Sequence, residues 1–139
     1  MGCRNCELAC SYYKSNGFNK DDANIKVELY PSERIIVTQV CMQCESAPCI
    51  DVCPTRALTR DEKTNAVKLN KDKCIGCKAC VQVCPFGSIE FSTMTRAIHK
   101  CDLCDGDPKC VNFCQANALE FIDISKVALQ RRKQMFKII

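Results

Sequence analysis

Fifteen cysteines among 139 residues fall into four groups, and their spacing narrows the chemistry they can do. The first group is Cys3, Cys6 and Cys10. The second, Cys41, Cys44, Cys49 and Cys53, reads C-x2-C-x4-C-x3-C and is followed by Pro54. The third, Cys74, Cys77, Cys80 and Cys84, reads C-x2-C-x2-C-x3-C and is followed by Pro85. The fourth, Cys101, Cys104, Cys110 and Cys114, has gaps of two, five and three residues and is followed by Gln115. Three thiols on so short a loop can wrap one face of a [4Fe–4S] cube, whose four irons each need one outside ligand. Thiolate suits these irons because it is soft and negatively charged. The fourth ligand cannot come from the same tight loop.

In the run C-x2-C-x2-C-x3-C-P the last cysteine serves the other cluster of a pair. Applied here, Cys74, Cys77 and Cys80 take Cys53, and Cys41, Cys44 and Cys49 take Cys84. Group four then needs a donor, and Cys10 is the natural one for Cys101, Cys104 and Cys110. Cys114 reaches back to the cluster of Cys3 and Cys6. That last cluster lacks one thiolate, which a cysteine just before Met1 would supply. Three readings stay open there: a chain start upstream of Met1, a trimmed chain, or a three-thiolate [3Fe–4S] site. Zinc ribbons space their C-x2-C knuckles a dozen or more residues apart. Groups two and three do not fit that pattern, whereas group four, taken alone, also fits zinc.

Such clusters must be held by a small scaffold. Six Phe, three Tyr and no Trp leave little large apolar surface for a core, so cross-links or metal must help. An odd number of cysteines argues against a closed disulfide framework. The formal charge of +4 is no nucleic-acid signature. Four oxidised clusters with their thiolates, at about −2 each, would bring the loaded protein to roughly −4. There is no charged-then-apolar leader, and no apolar run approaches the roughly eighteen residues of a membrane span. The expectation is a soluble, cytoplasmic protein.

Between the groups, short alternating segments predict tight hairpins after Cys-bearing helical turns. Ala57–Thr59 and Ala66–Leu69 flank one polar turn, and Ile89–Phe91 and Ala97–His99 flank another. "ANALEFIDI" after Gln115 predicts a third. "IKVEL" and "RIIVTQV" around "YPSE" predict a longer hairpin between Cys10 and Cys41. Residues 125–139 predict a helix capped by Ser125, with Ala128, Met135 and Ile139 on one face and Arg131, Arg132, Lys133 and Lys137 around the rest. It reads as a solvated terminal helix or as a docking segment. His99 reads as a strand residue beside a motif, with iron ligation the weaker reading. Gly76 reads as the residue that lets the backbone turn tightly around a cluster. No phosphate loop, dinucleotide fingerprint or nucleophile with a paired base is present.

The chain resembles the four-cluster ferredoxin-like subunits of molybdenum and tungsten oxidoreductases, of the dimethyl sulfoxide reductase iron–sulfur subunit type. "GCRNCELAC", "CMQCESAPCIDVCPTRAL", "CIGCKACVQVCPFGSI" and "KCDLCDGDPKCVNFCQANAL" carry the resemblance, which runs from Met1 to Phe121. It looks most similar to the small subunits of tungsten aldehyde oxidoreductases and benzoyl-CoA reductases. Gln115 departs from the family's proline, a local change that bears on hydrogen bonding at Cys114.

The resemblance implies an α+β fold of two pseudo-symmetric bacterial-ferredoxin-like units, each with two [4Fe–4S] clusters. Residues 1–40 and 86–124 would form the outer cluster pair, residues 41–85 the inner pair, and residues 125–139 a C-terminal helix or tail. The implied role is a non-catalytic electron-transfer subunit between a tungsten or molybdenum pterin enzyme and an external flavin or ferredoxin carrier. A free-standing polyferredoxin, a subunit of a hydrogenase, carbon monoxide dehydrogenase or formate dehydrogenase complex, and a self-assembling filament are the alternatives. Neither a nucleic acid nor a membrane is an expected partner.

Overall fold

A computed structural model describes residues 2–123 and 125–127. Helix α1 (Asn5–Ser15) carries Glu7, Cys10 and Ser11 as its buried stripe, the i, i+3, i+4 spacing of one helical face. It ends where Asn16 turns left-handed and its N–H returns to the Tyr12 carbonyl. Strands β1 (Lys26–Tyr30) and β2 (Ile35–Gln39) pair antiparallel, with Lys26 opposite Gln39 and Tyr30 opposite Ile35. Then follow α2 (Pro48–Asp51), the hairpin of β3 (Leu58–Arg60) and β4 (Val67–Leu69), and α3 (Ala79–Val83). The hairpin of β5 (Ile89–Ser92) and β6 (Ala97–Lys100), a tight left-handed turn at Leu103–Gly106 and α4 (Lys109–Asn112) complete the order.

Each sheet has two strands, and short helices pack in two couples: α1 against α4, and α2 against α3. The larger core gathers Ala47, Leu58, Val67, Ile89 and Ile98 around the thiols Cys49 and Cys80. A smaller one gathers Ala23 and Ile25 around Cys10, with Cys6, Cys110 and Leu119 against it. Cysteines therefore stand where larger domains place leucines and phenylalanines.

The three hairpins lie where the alternation placed them, with β1, β2, β3 and β4 each beginning one residue later. Their turns share one device. Arg34, Asn65 and Arg96, just ahead of the returning strand, all adopt positive φ. The fourth expected hairpin is not formed: residues 117–123 carry no strand. A hairpin needs a returning partner, and the chain instead starts a helical turn. The Asp123 carboxylate accepts from the Ser125 N–H at 2.8 Å, and the Asp123 carbonyl accepts from Lys126 at 2.9 Å. Asp123, not Ser125, therefore does the capping. Ser125–Val127 are helical, and the rest of the expected terminal helix, with Ala128, Arg131, Arg132, Lys133, Met135, Lys137 and Ile139, lies outside the described residues.

The β1–β2 hairpin is held to α1 by a side-chain clamp. Glu7, 3% exposed, accepts from the Val27 N–H at 2.7 Å, and Arg4 donates to the Val27 carbonyl at 3.1 Å. Two side chains thus stand in for a neighbouring strand. Glu7→Ala leaves a buried N–H unpaired and should cost about 1–3 kcal/mol. Amide exchange should quicken at Val27 and across β1–β2 while β3 to β6 keep their protection. Equal loosening everywhere would show that the clamp is not local.

Candidate iron–sulfur sites

The four groups share a backbone shape that the residue types do not announce. One residue in each group, immediately before Cys3, Cys44, Cys77 or Cys104, has positive φ: Gly2, Gln43, Gly76 and Leu103. Arg4, Ala47 and Lys78, each two residues before Cys6, Cys49 and Cys80, do the same. Successive left- and right-handed residues turn N–H groups toward one concave side, a surface that suits an anion. Gly76 was legible as such a position. Gln43 and Leu103 were not, since neither is a residue that favours this region.

At the last cysteine of the first, second and fourth groups, backbone N–H groups also aim at sulfur. Ala57 donates to Cys53 Sγ at 3.3 Å, Ala118 to Cys114 Sγ at 3.2 Å and Asn24 to Cys10 Sγ at 3.2 Å. The Cys53 and Cys114 bonds have the same four-residue step, so Gln115 leaves the geometry that Pro54 permits intact. The long gap of group four is taken up by the left-handed turn and by Pro108, which leads into α4. Lys68 of β4 pairs with Asp105 in that turn at 2.6 Å.

Cys41, Cys44, Cys49 and Cys84 line one cavity, with Val67, Ile89 and Lys100 in its wall. Cys80 is close enough to feel Cys74 and Cys77, and Cys53 and Cys74 pack on the same core as Cys80. Cys10 lies beside Cys104 and Cys110, and Cys6 beside Cys114. Cys3 is exposed. His99 faces away from this chemistry, with Nε2 3.5 Å from Thr95 Oγ1.

All fifteen cysteines are unbridged. Among the described residues, no three His, Cys, Asp or Glu side chains converge closely enough to hold a single ion. A cube asks something different. Its four outer ligands sit on four separate irons, so thiols spread around a cavity suit it. Burial pushes the Cys101 thiol up to about 12, with Cys41 and Cys10 nearby adding to the rise. Cys110 is pushed up to about 11 by burial and by Cys10 and Cys104. Burial also raises Cys6, Cys10 and Cys49.

Cys80 owes its rise to burial first and then to Cys74 and Cys77. Cys53 goes the other way: burial would raise it, but N–H groups of Leu58, Ala57 and Thr55 and the Thr55 hydroxyl pull it down. The raised thiols hold their protons more firmly than free cysteine, so cluster insertion must displace them. The donor set and its surroundings fit [4Fe–4S] clusters.

A family model for the 4Fe-4S dicluster domain matches residues 32–124. The chain belongs to that family. The dicluster chain is 44% identical to the aliphatic sulfonate oxidoreductase polyferredoxin-like subunit of Pyrococcus furiosus, over 81% of its own length and 65% of that relative's. It is 34% identical to the electron transport protein HydN of Escherichia coli, over 91% of this chain and 85% of the relative. The thiosulfate reductase electron transfer subunit PhsB of Salmonella typhi is 33% identical, over 94% of this chain and 74% of the relative. This dicluster protein thus carries multiple [4Fe–4S] clusters. Among the described residues, no helix is long and apolar enough to cross a membrane.

Side-chain hydrogen bonds also tie the second motif to the fourth and the fourth to α1. Gln43 Nε2 donates to the Cys101 carbonyl at 2.8 Å, and its Oε1 accepts from Val67 N–H at 2.8 Å. Lys14 of α1 pairs with Asp102 at 2.5 Å. Burial alone would raise Asp102, yet the bond to Lys14 and its charge hold the carboxyl below the usual range. Sequence reasoning missed Gln43, Lys14 and Lys100, because a polar residue beside a cysteine motif carries no periodic mark.

Proposed function

We propose that this chain is a non-catalytic electron-transfer subunit that passes single electrons through four [4Fe–4S] clusters in two pairs. The cavity lined by Cys41, Cys44, Cys49 and Cys84 is the observation that carries the reading, because it joins three thiols of one motif to the last thiol of the next. Cys74, Cys77, Cys80 and Cys53 hold the second cluster of that inner pair. Cys101, Cys104, Cys110 and Cys10 hold the third, and Cys3, Cys6 and Cys114 hold the fourth with one further ligand. The packing of α1 on α4 and of α2 on α3 supports this division into an outer and an inner pair.

Bound clusters would supply one-electron chemistry. The chain's own residues hold them, shield them and direct N–H groups at their sulfurs, which tunes potential. No acid, base or open metal position is required of this chain. Its partner is a catalytic oxidoreductase subunit, of the tungsten or molybdenum pterin class, with a flavin or ferredoxin carrier at the other end of the path. The names of the relatives support a multi-subunit setting. The β1–β2 ribbon supports it too, since Leu29, Tyr30, Ile35, Ile36 and Val37 are all exposed. A cytoplasmic setting goes with fifteen unbridged thiols.

Metal analysis of the complex, purified without oxygen, tests the reading. About sixteen irons per chain, after the partner's share, are expected for four cubes, with tungsten or molybdenum alongside. Iron nearer twelve would reduce the path to three clusters, and absence of the heavier metal would remove the pterin partner. A colourless chain holding zinc would overturn the reading entirely.

A further inference from the structure

Lys100 is the last residue of β6 and is 7% exposed. Its ammonium donates to Cys41 Sγ at 3.2 Å and to the Cys101 carbonyl at 3.0 Å. Among the described residues, no carboxylate pairs with it. A buried cation is costly unless a negative group faces it. Its hydrogen-bond partners are one neutral carbonyl and a cysteine of the Cys41 cavity, and its charge also reaches the Cys49 thiol of that cavity and the Cys101 thiol. The missing counter-charge is the Cys41 thiolate, the one sulfur it bonds, and the cluster it ligates.

We propose that Lys100 sets the reduction potential of the cluster held by Cys41, making it the electron-holding site at the junction of the two pairs. The inference rests on the reading of this chain as an iron–sulfur electron carrier. Reduction adds one electron to the cube, taking its charge with four thiolates from about −2 to about −3. A fixed positive charge beside a ligand sulfur stabilises the more negative state more. The N–H···S bond acts in the same direction, because it drains electron density from the sulfur. Burial keeps water from screening either effect. Lys100 therefore raises this potential above that of a cluster with no cation on its ligands. It is a positioning residue: it acts through Cys41 and touches no substrate.

Its place gives the effect a direction along the path. Cys101 belongs to the outer pair and Cys41 to the inner one, and the Lys100 side chain contacts both. The Gln43 bond to the same Cys101 carbonyl fixes that contact point. An electron crossing between the pairs passes the cluster that Lys100 favours, and the half-reduced chain keeps its electron there.

The test is a mediated redox titration of the full chain in its native complex, followed by electron paramagnetic resonance, on Lys100→Met, Lys100→Gln and Lys100→Arg. Iron and sulfide contents are measured on the same samples. Both neutral variants are expected to keep their iron and to lower one midpoint, weakening reduction of that cluster about tenfold or more, which is about 59 mV for one electron. Lys100→Arg is expected to restore most of the shift. The moved signal should be the one that Cys41→Ser also alters.

Unmoved midpoints with full iron would overturn the inference. So would loss of clusters from both neutral variants, since Lys100 would then serve folding and not potential. A shift shared equally by all clusters would overturn it as well. Failure of the underlying reading looks different: the unaltered chain would itself carry no reducible cluster.

Discussion

Replacing Cys84 by alanine is expected to destabilise the cluster of the preceding motif while leaving the one in its own loop. Cys84 follows Cys80 by four residues, yet its thiol lines the cavity of Cys41, Cys44 and Cys49. Cys80 sits with Cys74 and Cys77 instead. The variant should therefore lose about four irons, or about one if a three-iron cluster survives. Iron analysis with spectra of the reduced protein would read this. Cys53→Ala should give the converse pattern, sparing the Cys41 cluster. If each variant instead lost the cluster of its own motif, the exchange between loops would be wrong. Loss of both inner clusters from either variant would show that the staple is cooperative and that neither cube survives alone.

Stripping all iron with a chelator under reducing, anaerobic conditions should unfold most of the chain. The apolar side chains at the centre are few and small, and Cys49, Cys80 and Cys10 fill places that a metal-free protein would give to larger groups. The backbone adds a second cost. Among the described residues, thirteen that are not glycine have positive φ. Each such residue costs about 1–2 kcal/mol unless something rewards it. Around the motifs the reward is an anchored sulfur, so removing iron removes it. Circular dichroism should lose the helical signal, and amide protection should fall at α1 to α4 together. A stripped chain that kept native protection in the β3–β4 and β5–β6 hairpins would refute this and show a self-sufficient core.

The cysteine spacing made the [4Fe–4S] chemistry legible, because few other sites need so many thiols on such short loops, and the electron-transfer role came with the family resemblance. Three hairpins were legible as well, because alternating segments such as "IKVEL" and "RIIVTQV" bracket polar turns. The fourth hairpin failed for a local reason. "ANALEFIDI" alternates like a strand, but no returning segment exists before Asp123 begins a helical turn. What spacing could not convey was conformation at ordinary residues. Gln43 and Leu103 turn left-handed only because a motif on either side compels it. The contacts made by Lys100, Gln43 and Lys14 were equally silent, since each joins segments tens of residues apart.

The packing of α1 on α4 has a consequence for the making of this protein. On the proposed assignment the inner ligands all lie between residues 41 and 84, so all of those thiols exist while the rest of the chain is still being synthesised. Helix α1 must wait for α4, whose first residue is Lys109. During that interval Cys6 and Cys10 have no partners from the later loop. On that assignment the order of synthesis would divide cluster delivery into an early event and a late one. A pulse of oxygen between them would meet the thiols of the first motif before α4 covers them.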